Sequence, residues 1–411
     1  MGHLTFRNYS RLQKRLDQFP QGVFNSQDFY EILKLLFADE EAKLCSVMPL
    51  HFFTAKEMAG IWDKGEEETK SILKTLGDKG LVYSRKKDGI LKYFLFPPMI
   101  GFFEFSMMRL DNRFDKKKLA ELYYKYINLE DSFLKKLVSL DPYFTRVFPH
   151  EEAIKDIKTE VLSHEKISAM IKNSRTITVG TCFCRHKMEH MGMACDNPQE
   201  VCLTFDGIAE DLLEHGIARK ISKEEARKIV EMCIERGLVQ LGDNIKNELS
   251  FICNCCSCCC DVLLGYKRFG PRVAINPSNY IARINNATCR MCGTCVKRCP
   301  VDAISIVKGK VKVNRKVCIG CGVCTRFCST GSAKMEIRSK KTYIPENTIE
   351  MLVLQAIGQN KIGNFIFDDQ TSRSHAILRK VVNLILRFPP IKMILKNPRV
   401  VKFLLKKSGK T

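Results

Sequence analysis

The chain has 411 residues, 45% of them hydrophobic, with 20 cysteines and a formal net charge of +22. That size leaves room for roughly two to four domains with hydrophobic cores, and the composition excludes a disordered polymer. The opening MGHLTFRNYSRLQKRLDQ lacks an apolar signal region, and the most apolar stretch, Tyr93 to Met108, is broken by Pro97, Pro98 and Glu104, so neither export nor a membrane span is expected.

The protein is therefore expected in the cytoplasm, where cysteines stay reduced and serve as thiolate ligands rather than disulfides. Its positive charge is local. Residues 280–340 carry 13 Lys and Arg against two acids, residues 371–411 carry 11 against none, and the remainder is balanced. Two basic segments need two separate explanations.

Residues 1–98 read as a winged-helix-like module with an N-terminal helix. Ser26 opens a helical stretch through Phe37, TAKE (Thr54 to Glu57) is a capping box, and EEETKSILKTLGDKG is a third helix closed by Gly80. LVYSRKKDGILKYFLF reads as a hairpin wing turning at Asp88-Gly89. Winged helices often bind DNA, which requires neutralising phosphates. Here the helix in the recognition position starts with Glu66, Glu67 and Glu68, and residues 54–80 carry five Lys against six acids. Only Arg85, Lys86 and Lys87 on the wing support DNA, so nucleic acid is disfavoured as a partner and a scaffold role is expected. Residues 99–175 read as a helical linker region whose aromatic run GFFEFSMMRL packs the module onto the part that follows.

Residues 176–270 hold eleven cysteines, ten of them besides the isolated Cys233. TITVG reads as a strand ending at Gly180, followed by Cys182, Cys184, Cys195 and Cys202 in the spacing C-x-C-x10-C-x6-C. Arg185, His186, Lys187 and His190 can offset the charge of a thiolate site, the histidines being expected at the surface rather than as ligands. A helix capped by Ser222 and Glu225 and a strand LVQLG lead into ICNCCSCCC, with Cys253, Cys255, Cys256, Cys258, Cys259 and Cys260. If that run is extended, Cys253, Cys255 and Cys259 face one side and Cys256, Cys258 and Cys260 the other, which suits two metal centres better than one. Cys45 and Cys233 stand alone at apolar positions and read as small buried hydrophobes.

Residues 280–340 contain two further runs, Cys289, Cys292, Cys295, Cys299 and Cys318, Cys321, Cys324, Cys328, each C-x2-C-x2-C-x3-C. With VDAI after Pro300, the pair resembles the bacterial-type ferredoxin that holds two 4Fe–4S clusters. The resemblance implies that the fourth cysteine of each run crosses to the other cluster. Cys289, Cys292, Cys295 and Cys328 would then bind cluster one, and Cys318, Cys321, Cys324 and Cys299 cluster two. ISIVKGKVKV between the runs reads as a hairpin turning at Lys308-Gly309, and Ser329 stands where the family has proline. Arg290, Lys297, Arg298, Arg315, Lys316 and Arg326 favour the reduced, more anionic clusters or form a docking face for an acidic redox partner. Zinc is the competing metal for such cysteines, but two duplicated four-cysteine runs fit iron and sulfur better.

Residues 341–411 form a basic helical tail. Ile377, Val381, Ile385 and Phe388 share one side of HAILRKVVNLILRF, and IKMILKNPRVVKFLLKK alternates apolar clusters with lysines. Such a tail either lies on an anionic membrane, at its inner face, or packs on its own domain. The chain thus reads as α+β and multidomain, with a winged-helix-like module, a helical and cysteine-rich α/β middle, a ferredoxin-like dicluster domain and an amphipathic tail. The expected function is electron transfer to or from a redox enzyme, in anaerobic metabolism, by two 4Fe–4S clusters and one or two additional Fe–S clusters held by the ten upstream cysteines. Two alternatives are an oxidoreductase with its chemistry at the unusual cysteine-rich centre and a redox-sensing regulator.

Overall fold

The computed structural model describes residues 2–157, 166–271 and 275–407. Helices and several small sheets alternate along them. The N-terminal helices surround a three-stranded antiparallel sheet of β1 (Phe53–Thr54), β2 (Val82–Lys87) and β3 (Ile90–Leu95), ordered β1-β3-β2. Ser26 caps the helix Gln27–Leu36, and Thr54 and Glu57 form a reciprocal box at the start of Ala55–Trp62. Asp88 and Gly89 both take positive φ, the backbone that joins two twisted strands through a two-residue turn.

The segment expected as a helical linker does more than link. Phe102, Phe103, Tyr123, Tyr126 and Phe133 are fully buried and share one core with Phe29, whose ring stacks on Tyr126 at 5.1 Å. Beyond them the chain enters a seven-stranded sheet. Its strands are β4 (Thr145–Phe148), β5 (Ile177–Thr181), β6 (Glu200–Phe205), β7 (Arg219–Lys220), β8 (Val239–Asp243), β9 (Phe251–Cys255) and β10 (Ile275–Asn276), ordered β10-β4-β8-β9-β6-β5-β7. Among the described residues, only β10 and β4 of this sheet pair in parallel. The sheet therefore draws strands from both sides of the cysteine-rich segment, and the boundaries at 175 and 270 fall inside one folded unit.

Strand side chains alternate between faces, and here the alternation sorts the chemistry. Phe148, Ile177, Val179, Leu203, Phe205 and Ile252 pack on one face beneath the helices Ile167–Asn173 and Lys223–Glu235. Val147, Val239, Leu241, Cys253 and Cys255 belong to the opposite side, toward the aromatic core and the C-terminal cysteine runs.

The last two small sheets pair β11 (Tyr280–Ile284) with β14 (Ala333–Ile337) and β12 (Ile304–Val307) with β13 (Lys310–Val313). The second is the hairpin turning at Lys308-Gly309, both at positive φ. In the tail, Arg373–Ile385, Pro389–Leu395 and Pro398–Lys407 are separate helices. The tail packs inward through Leu386 and Val401 against Leu354 and Ile357, while a buried Arg15–Asp368 ion pair at 2.5 Å ties the preceding segment to the first helix.

The N-terminal module docks on the central sheet through the helix Asp206–Glu214. The Ser84 amide and hydroxyl both donate to Asp211, and His215 reaches Asp78 at 2.8 Å. Gly77 is what allows this approach, since a Cβ there would meet the His215 ring at 2.4 Å. Alanine usually stabilises a helix relative to glycine by about 1 kcal/mol. Here the ring is held on two sides, so Gly77→Ala should instead destabilise by about 1–3 kcal/mol. Thermal unfolding of the metal-loaded protein, with its first transition lowered, checks this.

Candidate metal centres

Ten of the eleven cysteines of the middle segment, all but Cys233, divide by position into two sets. The first gathers on the sheet. Leu203 and Phe251 fall in the β6–β9 register as Leu203 opposite Ile252 and Thr204 opposite Phe251, and one step further sets Cys202 opposite Cys253. Cys255 follows two residues on, on the same face as Cys253. Two helix starts complete the set. Cys182 caps Phe183–His190, which carries Cys184 in its first turn, and Cys260 caps Asp261–Phe269. Thiol contacts link Cys182 to Cys184, Cys184 to Cys260, Cys260 to Cys255, Cys255 to Cys253, and Cys253 to Cys202. The amide groups of Arg185 and Leu263 at the two helix starts lie near the sulfurs of Cys182 and Cys260 and favour their thiolates. Free amides at a helix start favour anionic ligands.

The second set is Cys195, Cys256, Cys258 and Cys259, whose sulfurs all lie within 4.8 Å of one another. This corrects the expected division of the run. β9 ends at Cys255 and the chain turns over residues 257–259, so it is not extended to its end. Cys259 consequently joins Cys256 and Cys258, and Cys260 joins Cys253 and Cys255. Each set still draws three thiols from the run.

Arg185 lies between the two sets and is 1% exposed. Its Nη1 donates to the carbonyl of Asn254 and approaches the Cys256 sulfur at 3.7 Å, while Nε and Nη2 have no hydrogen-bond partner among the described residues. Burial alone would lower its basicity, but the sulfurs of Cys182, Cys256 and Cys255 outweigh that and raise it. A buried guanidinium with two unused donors fits a site whose full anionic charge comes with its metal. The Cys256 thiol is held down to about 4, first by the Cys259 thiol and then by Arg185. Hydrogen bonds from Cys184 and Cys255 hold Cys260 down to about 5.

Asn128, Asp261 and Glu104 carried no sequence signal for the site, and Lys187 and His186 serve it differently from the expectation. Lys187 and Asp261 form a fully buried ion pair at 2.5 Å, joined by Asn128, so Lys187 is largely spent on Asp261 rather than on sulfur. Glu104 stands near Cys202 and Cys253, and burial pushes its carboxyl up to about 7 against the hydrogen bond from the Gly101 amide. His186, expected at the surface, is buried. Its Nδ1 meets the Met107 carbonyl at 2.6 Å and its Nε2 faces His190 at 3.1 Å, which leaves it no role as a ligand. Cys45 and Cys233 are 0% exposed, Cys233 packing beside Cys256 and Cys259 as part of an apolar wall, and burial raises both thiols, Cys233 to about 12.

The C-terminal runs bring their fourth cysteines across. Cys299, Cys318, Cys321 and Cys324 line one pocket with Ile304 and Ile319. Burial, then the Cys289 sulfur and that of Cys328, raise the Cys295 thiol. Gly320, at φ +74°, lets the loop pass so close to β11 that a Cβ would lie 2.2 Å from the Tyr280 carbonyl. Ser329, in the place of the family's proline, accepts a hydrogen bond from Arg290. Residues 281–342 match the model of the 4Fe-4S dicluster domain. This domain holds iron–sulfur clusters. The match covers the C-terminal runs and none of the upstream cysteines, and no curated protein or solved structure matches the chain.

The two dicluster sets differ in exposure. Cys318, Cys321 and Cys324 are buried, whereas Cys292 is exposed and Cys289, Cys295 and Cys328 are half-buried. The inner loop is anchored to the rest of the molecule. The His150 amide donates to the Cys321 carbonyl, and its ring meets the Leu238 carbonyl just before β8. The helix beginning at Cys260 reaches the same loop, since the Tyr266 hydroxyl donates to the Val317 carbonyl at 2.9 Å. Tyr266 lies six helical steps beyond Cys260, about 9 Å along the axis. The upstream thiols and the inner dicluster set are therefore neighbours.

If Arg185 balances the upstream thiolates, Arg185→Gln should lower their bound iron severalfold and leave the dicluster iron in place. Iron and acid-labile sulfide counts, with EPR of the reduced dicluster as the internal reference, measure this.

Proposed function

We propose that the protein carries single electrons between a redox partner and a metal centre of its own. The observation that supports this most directly is the sequence of exposures. An open cysteine set at the surface adjoins a buried set, and a short helix leads from the buried set to six further thiols. Electrons would pass at the outer dicluster set, Cys289, Cys292, Cys295 and Cys328, and travel by the inner set to a third iron–sulfur centre bound among Cys182, Cys184, Cys202, Cys253, Cys255 and Cys260. Arg290, Lys297, Arg298 and Arg326 are exposed around the outer set, where they suit an acidic partner. The winged-helix-like module serves in this reading as a scaffold. Its wing strand is used against the helix Asp206–Glu214, and the ion pairs of Glu66, Glu67 and Glu68 with Lys64 and Lys70 occupy the start of the helix that would meet DNA.

Anaerobically prepared protein should contain about twelve irons, and a variant with Cys253, Cys255 and Cys260 changed to serine about eight, the complement of two cubanes. About eight in both would remove the third centre from the proposal. Failure of the dicluster to be reduced and reoxidised by one-electron mediators would remove the carrier function.

The tail supports a place for this activity. No described helix is long and apolar enough to cross a membrane. Yet Ile377, Leu384, Phe388, Met393, Ile394 and Phe403 are each at least 58% exposed, in a segment with 11 basic and no acidic residues. An apolar row flanked by cations suits the surface of an anionic bilayer. The protein should co-sediment with phosphatidylserine-containing vesicles, less so in high salt, and Phe388→Glu with Ile394→Glu should reduce binding at least tenfold.

A further inference from the structure

The four-thiol set of Cys195, Cys256, Cys258 and Cys259 differs in scale from every other group of cysteines. Three of its sulfur–sulfur edges, Cys195–Cys256, Cys195–Cys259 and Cys258–Cys259, are each 3.7 Å. A disulfide would need about 2.05 Å. Four thiolates around one tetrahedral ion, with metal–sulfur bonds of about 2.3 Å, stand about 3.8 Å apart. A cubane needs a wider frame, because each capping sulfur binds a different iron. The dicluster sets offer an internal comparison. Among the described residues, the Cys195 set alone places three or more ligating side chains within 4.8 Å of one another.

We propose that these four cysteines hold a single divalent metal ion, zinc, as a closed tetrahedral site separate from the iron–sulfur centres. Three ligands come from one turn, Cys256-Ser257-Cys258-Cys259, and the fourth from the loop leading into β6. The ion thus joins a stretch without regular structure to the end of β9. The surroundings match a closed site. Met188, Val201, Cys233 and Leu238 form an apolar wall beside Cys256 and Cys259. The Asn197 amide donates to the Cys195 sulfur at 3.2 Å, and Arg185 approaches Cys256. Such donors orient thiolates and balance the dianion that four of them make with one divalent ion. No open position is left for a substrate, so the site positions structure, and Arg185 is shared between it and the six-thiol centre.

The test is metal analysis of the full chain, purified anaerobically with its clusters. One zinc per chain beyond the irons is expected. X-ray absorption at the zinc edge should show only sulfur at about 2.3 Å and no neighbouring metal. Cys258→Ser changes the exposed ligand and should release that one ion while the dicluster EPR signals persist. Loss of one iron instead of one zinc would support the single-ion site and reassign its ion. Loss of two or more irons on Cys258→Ser, or a metal neighbour in the absorption spectrum, would overturn it. So would the absence of zinc with no metal lost. The absorption measurement needs no variant, and none of these outcomes depends on whether the protein transfers electrons, which the mediator titration decides.

Discussion

Ten thiols brought together around the end of one sheet impose the constraint to which the middle of this molecule answers. Thiols so placed cannot all ionise without cations, and burial among apolar side chains raises the cost of each charge. The fold supplies one buried guanidinium, Arg185, and the amides of two helix starts, while Lys187 is matched by Asp261. That is too little positive charge for ten thiolates and suits a site completed by metal.

Sheet geometry does most of the sorting. Alternation along β9 turns Ile252 into the helical layer and Cys253 and Cys255 toward the other side. Antiparallel register then brings Cys202 opposite, and helices that start at Cys182 and Cys260 close the group. The turn at residues 257–259 carries three remaining thiols to Cys195. One run of cysteines thereby contributes to two thiol sets, with Arg185 between them.

The same economy governs the link to the dicluster domain. Its inner loop is held by the His150 amide, and by Tyr266 at the far end of the helix that begins at Cys260. The aromatic core around Phe103 and Tyr126 supports the helix bearing Cys184 from the other side, through the Met107 carbonyl on His186. Contacts from the N-terminal helices thus reach the cysteine-rich part through packing.

The sequence by itself determined those features whose cause is local. The duplicated C-x2-C-x2-C-x3-C runs, the capping boxes, the turns at Asp88-Gly89 and Lys308-Gly309 and the basic tail all arise from residues a few positions apart, where steric and hydrogen-bonding preferences act directly. Which of the ten upstream thiols lie together was decided only by the tertiary structure. Cys202 meets Cys253 across two strands, Cys195 meets Cys259 across 64 positions, and the side on which Cys259 and Cys260 fall depends on where β9 stops. The burial of His186, the pairing of Lys187 with Asp261 and the approach of Glu104 have the same origin. Long-range register and packing set them, and no spacing along the chain encodes either.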